Sequence, residues 1–199
     1  MIEEPAMPIE VFYSYAAQDE ILRQELEKHL GILKRKKLIS TWHCRMIYPG
    51  MDQMQEVHAH LNAAHIILLL VSSDFIASDY CYEIEVNRAM ERHMLGEACV
   101  IPVLLRPVVW DGAPFSKLQP LPIGGNPVTT WANRDSAFYD ITIGIQVAAK
   151  NMSKRFPTTY KTQLIKEIVK DYLYDFAFSY ASEDRAYAEA LSNSLYQQG

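Results

Sequence analysis

Apolar residues along the chain fall into two alternating rhythms. "IEVFYSYA" (9–16) is rich in β-branched and aromatic residues and reads as a strand. Leu22, Leu26, Leu30 and Leu33 then recur at helical spacing behind Asp19, a residue type that caps helices. "LISTW" (38–42) is a short second strand, and "HCRMIYPGM" (43–51) breaks it with the turn residues Pro49 and Gly50. Met54, Val57, Leu61 and Ala64 mark a second helix. "IILLLV" (66–71) is apolar at every position, as expected of a strand covered by helices on both faces. A third helix is predicted over 79–94, with Tyr82, Val86, Ala89 and His93 on one side, and "CVIPVLL" (99–105) is a fourth strand. Residues 106–127 are rich in proline and read as a long loop. "VTTW" (128–131) is the expected fifth strand, and Asp135 is expected to cap a last helix carrying Phe138, Ile141 and Ile145.

Strands alternating with helices imply βαβ units, hence an α/β fold with one parallel sheet between two helical layers. Ligands in such folds bind beyond the carboxyl ends of the strands. The stretches to inspect are therefore 15–18, 43–50, 72–83 and the segment from Arg106 onward. Glu83 falls on that rim near a predicted helix start, where the helix dipole favours a carboxylate.

The end of the chain repeats its beginning. At an offset of 165 residues, Ser14, Tyr15, Ala16 and Asp19 meet Ser179, Tyr180, Ala181 and Asp184, and Leu26 and Leu30 meet Leu191 and Leu195. The expected organisation is one domain over 8–150, a connecting helix over 151–173 and the start of a second copy over 174–199.

Composition narrows the function. The net charge of −5 argues against nucleic-acid binding through bulk electrostatics. The one basic run, Lys34 to Lys37, suits the negative end of a helix. Three cysteines without metal-ligand spacing favour reduced thiols and a cytoplasmic setting. His58 and His60 stand two apart, which sends them to different helix faces, and no metal site is expected. The longest apolar run is too short to span a membrane.

Taken in order, "VFYSYA", "TWHCRMIYPG", "SSDFIASDYCYEIE", "VIPVLL" and "VTTW" resemble the successive boxes of the Toll/interleukin-1 receptor (TIR) domain family, bacterial type. The second corresponds to its BB loop and the third to its Ser-x-Trp-Cys-x-x-Glu segment. The resemblance implies a flavodoxin-like sandwich with a five-stranded parallel sheet in the order 2-1-3-4-5. It also implies two activities. One is cleavage of NAD⁺, as substrate rather than cofactor, at the nicotinamide–ribose bond, giving nicotinamide and linear or cyclic ADP-ribose in signalling or defence. The other is association with further TIR domains through the BB loop around Pro49 and Gly50. By motif the essential glutamate is Glu83, expected to point into a cleft beside Tyr15, Cys44, Arg45 and Tyr80, with Glu85 facing away. Tyr80 stands where the family usually has Trp, and Cys44 where it often has an acid.

The chemistry needs little. Nicotinamide leaves as a neutral molecule from a cationic ring, so one carboxylate beside an oxocarbenium-like ribose can suffice. Tyr80 can stack on the base or pack as a half-buried aromatic. Ser14 and Tyr15 can contact nucleotide or simply finish a strand, and Arg45 can meet pyrophosphate or stay solvated. The competing function is a scaffold that acts by TIR–TIR association alone. A phosphoacceptor receiver domain, with the same strand order, lacks support: the first strand runs into "SYAAQDE", the fifth has no Lys, and Asp74 after the third is a lone match.

Overall fold

A computed structural model describes residues 7–155; of the linker helix expected over 151–173, residues 151–155 are the end of the last described helix, and the rest, with the expected second copy, lies outside the described residues. The core is a parallel sheet of four strands in the order β2-β1-β3-β4. They are β1 (Ile9–Tyr15), β2 (Ile39–Trp42), β3 (Ile66–Val71) and β4 (Cys99–Leu104). All three ladders are parallel, with Ile9 opposite Ile39, Val11 opposite Ile66 and Ile66 opposite Cys99. Every residue of β3 is fully buried, as its unbroken apolar run requires, because helices cover both faces.

Among the described residues six helices connect and cover the strands: α1 (Glu20–His29), α2 (Gly31–Arg35), α3 (Gln53–Ala63), α4 (Ser73–Ala77), α5 (Asn87–Met94) and α6 (Arg134–Arg155). A π-helical segment, Tyr80–Val86, runs directly into α5. The leucines at 22, 26, 30 and 33 are all buried, although the helix they predict breaks into α1 and α2 near Leu30. Val57 and Leu61 bury one face of α3, and the Asp52 side chain accepts from the Gln55 N–H at its start. The basic run at 34–37 ends α2 and is exposed.

The predicted fifth strand is not formed. Residues Val128–Thr130 make a single 3₁₀ turn, tied to β4 by the Thr129 N–H donating to the Leu105 carbonyl at 3.0 Å. The place beside β4 is taken instead by one residue, Leu121, whose N–H donates to the Pro102 carbonyl and whose carbonyl accepts from Leu104, both at 2.8 Å. The ladder does not continue past it, because the next N–H that could face β4, that of Ile123, donates to the Asp140 carboxylate of α6 at 2.6 Å.

Two helix starts also differ from expectation. The Asn133 side chain, not Asp135, accepts the N–H of Asp135 at the start of α6. Asp19 makes no capping bond; it is buried and turned toward the sheet. There Ser72 donates to its Oδ2, and the Arg106 Nη2 lies 2.9 Å from its Oδ1. Arg106 also pairs with Asp74. This cluster joins the carboxyl ends of β1, β3 and β4 and fixes the rim on which the site stands.

Candidate functional site

The rim is built from three chain segments. Ser14 and Tyr15 end β1, His43 to Arg45 follow β2, and the π-helix carries Tyr80, Cys81, Glu83 and Glu85. Cys81 is buried, and its Sγ lies 3.6 Å from the Tyr15 carbonyl, which docks this helix onto the end of β1.

That contact sets the phase of the helix, and with it which glutamate enters. Cys81, Glu85, Val86, Ala89 and Arg92 are buried, whereas Glu83 is exposed. Glu85 is 5% exposed, and its Oε2 accepts from the Ser14 hydroxyl, itself fully buried. The expectation that Glu83 points inward and Glu85 away is therefore reversed. The two do lie on opposite sides, as a two-residue separation on a helix demands, but the inward side belongs to Glu85. Counting Ser-x-Trp-Cys-x-x-Glu from Ser78, Tyr80 and Cys81 lands on Ile84, between the two acids. A π-turn adds one residue to a helix, and the added residue moves the inward carboxylate to 85. A signal was available: Glu85 precedes Ala89 by one helical turn and adjoins Val86, both on the predicted apolar face.

The electrostatics follow from this placement. Burial raises the Glu85 carboxyl from its ordinary range to about 7, and the Ser14 hydrogen bond only partly opposes the rise. Cys44, half-buried, and Cys81 are pushed up, first by burial and also by the nearby Glu85 charge, so both are protonated thiols. Tyr80 is half-buried, and its pKa is raised by burial and then by Glu85. Its hydroxyl is buried without a hydrogen-bond partner.

Beside this pocket of neutral groups sits a charged one. The Tyr15 hydroxyl donates to Glu20 Oε2 at 2.6 Å, and Arg23 lies over the Tyr13 and Tyr15 rings while pairing with Glu20 at 2.9 Å. Burial pushes Glu20 up, but hydrogen bonds from Arg23, Tyr15 and Gln24 outweigh it and hold the carboxyl at about 2. Burial and the Glu20 hydrogen bond raise Tyr15 far above its usual range. Arg45 is exposed and within 3.5 Å of the same Glu20. The structure thus brings Ser14, Cys44 and Tyr80 around Glu85, sets Tyr15 and Arg45 toward Glu20, and leaves Glu83 outside.

The loop after β2 carries Met46, Tyr48, Pro49, Gly50 and Met51, all exposed, with Gly50 at φ +90°. A separate groove of about 290 Å³ lies along the edge strand β2, lined by Phe12, Ser40, Trp42 and His60, with the Trp42 and His60 rings stacked at 4.1 Å. It holds none of the rim residues. Among the described residues no group of His, Cys, Asp and Glu side chains could hold a metal ion, and no helix is long and apolar enough to cross a membrane.

Comparison with known proteins fits this arrangement. The family model for the TIR domain matches residues 11–135, from β1 through the start of α6. The chain belongs to the TIR domain family. The uncharacterized protein y4lF of Sinorhizobium fredii (strain NBRC 101917 / NGR234) is 51% identical over 144 residues, 72% of this chain. That match spans 45% of y4lF, so the chain corresponds to less than half of this relative. Among solved structures, the TIR domains of the activated Roq1 resistosome directly recognizing the pathogen effector XopQ are 19% identical. The match covers 82% of this chain and 98% of that one, at a TM-score of 0.38.

Proposed function

We propose that this TIR domain cleaves NAD⁺ at the nicotinamide–ribose bond and that Glu85, rather than Glu83, is the carboxylate that acts. The observation that carries the reading is a lone acid sunk at the carboxyl rim of the sheet, ringed by Ser14, Cys44, Tyr80 and Cys81, none of them cationic. An ionised carboxylate in such a place has no internal counter-charge, so a ribose cation forming beside it gains full attraction at low dielectric. The C1′–N bond breaks, and nicotinamide departs with the electron pair as a neutral base. Water then adds at C1′ and releases one proton, leaving ADP-ribose; a hydroxyl of the same molecule in place of water gives a cyclic product. Tyr80 offers a ring face to the base. Arg45 offers a cation to the pyrophosphate once it leaves Glu20.

The test is nicotinamide release from NAD⁺ by the full chain at high protein concentration. Glu85→Gln keeps the shape and removes the charge; a loss of about 3 kcal/mol of transition-state stabilisation lowers the rate roughly a hundredfold. Glu83→Gln is expected to keep most of the rate. Equal turnover by wild type and Glu85→Gln defeats the reading, and a loss confined to Glu83→Gln returns the role to that residue.

A second reading has its own support: scaffolding through association with other TIR domains. The loop after β2 exposes Met46, Tyr48 and Met51 on one short segment, and Met54 continues the apolar surface onto α3. Such a patch suits self-association. The two readings are compatible, since assembly can order the loop that carries Arg45.

A further inference from the structure

Ser14 is the one side chain that hydrogen-bonds Glu85 among the described residues, and it comes from the sheet rather than from the helix. It is fully buried at the end of β1, where the ladder to β3 holds it opposite Leu69. A hydroxyl in that position offers nucleotide no free surface. What it can reach is the Glu85 carboxylate, 71 residues later in the chain.

We propose that Ser14 is a positioning residue: its hydroxyl fixes the Glu85 carboxylate toward β1 and supplies the one hydrogen bond that favours its ionised form. The inference deepens the NAD⁺-cleavage reading and, for its effect on turnover, rests on it. The groups facing Glu85 are Ser14 from β1, Cys44 from the turn after β2, and Tyr80 and Cys81 from its own helix. None is a base, and the two thiols and the Tyr80 phenol are held protonated by burial. Among the described residues, donation from Ser14 is what opposes the cost of burying the charge. A hydrogen bond donated to a carboxylate stabilises the charged form, so removing it must raise the pH at which that form appears. The fraction of competent protein at neutral pH then depends on a strand residue that need not touch substrate.

The experiment titrates Glu85 directly. Carboxyl-¹³C NMR of the full chain, with the Glu85 signal assigned through Glu85→Gln, is followed from pH 5 to 9.5 in wild type, Ser14→Ala and Ser14→Thr. Ser14→Ala is expected to move the midpoint upward by about one pH unit, the worth of a hydrogen bond to a charged group. Ser14→Thr, which keeps the hydroxyl, is expected to restore it. In parallel, nicotinamide release by Ser14→Ala is expected to fall severalfold at pH 7 and recover at pH 9 with KM for NAD⁺ unchanged. An unmoved midpoint in folded Ser14→Ala overturns the proposal. So does a raised KM at every pH, which is the mark of a nucleotide contact. A shifted midpoint with no turnover in any variant supports the role of Ser14 and removes the NAD⁺ reading instead.

Discussion

Replacing Glu85 by Gln should stabilise the fold, and the gain should grow with pH. Folding lifts this carboxyl from 4.5 to about 7. Between those two values the folded chain binds more protons than the unfolded one, so stability falls as pH rises through the interval. Each pKa unit corresponds to about 1.4 kcal/mol, which makes the full penalty about 3 kcal/mol above pH 8. Gln cannot ionise and escapes it. Any hydrogen bonds the amide fails to make in this apolar place appear at every pH alike. The quantity to read is therefore the change in the Gln-minus-Glu difference between pH 4.5 and pH 8.5. That change should be about 3 kcal/mol, or about 6–12 °C in the melting temperature of a domain this size. Urea titrations of the full chain at the two pH values measure it, and Glu83→Gln serves as the exposed control with a difference near zero. A pH-independent difference for Glu85→Gln would mean that the carboxyl is solvated after all. A solvated carboxyl would not hold the low-dielectric charge on which the catalytic reading depends.

Arg106→Met should destabilise by about 2 kcal/mol near neutral pH, because it strips a counter-charge from the buried Asp19. Burial already raises Asp19, against the Ser72 and Arg106 contacts that lower it, so the loss should shrink on acidification as Asp19 takes up a proton. Gly144→Ala should cost about 1 kcal/mol in thermal unfolding. A Cβ there would stand 2.6 Å from a Leu121 methyl, and this overpacking outweighs the gain in helix propensity. Leu68→Ala, in the fully buried centre of β3, should cost about 3 kcal/mol or more by urea titration. Gly50→Val should lower the melting temperature by a few degrees, about 1–2 kcal/mol of strain at an exposed positive-φ loop position, while leaving the sheet folded and weakening self-association in sedimentation.

Much of this protein follows from residue order alone. The parallel sheet is legible because "IILLLV" can be satisfied only between two helical layers, and the alternation of strand and helix allows few other topologies. The rim segments are legible too, because they are whatever follows the strands. Three features needed tertiary structure. "VTTW" has strand-forming residues, yet Leu121 occupies the neighbouring edge of β4 between two prolines, and no local propensity records that competitor. Asp19 has the composition of a cap, yet Arg106 and Ser72 reach it from 87 and 53 residues away and draw it inward. The choice between Glu83 and Glu85 turns on helix phase. One residue of π-helical slack rotates every later side chain, and that slack is set where Cys81 meets the end of β1. Sequence spacing fixes which residues share a face; only packing against the sheet decides which face is inside.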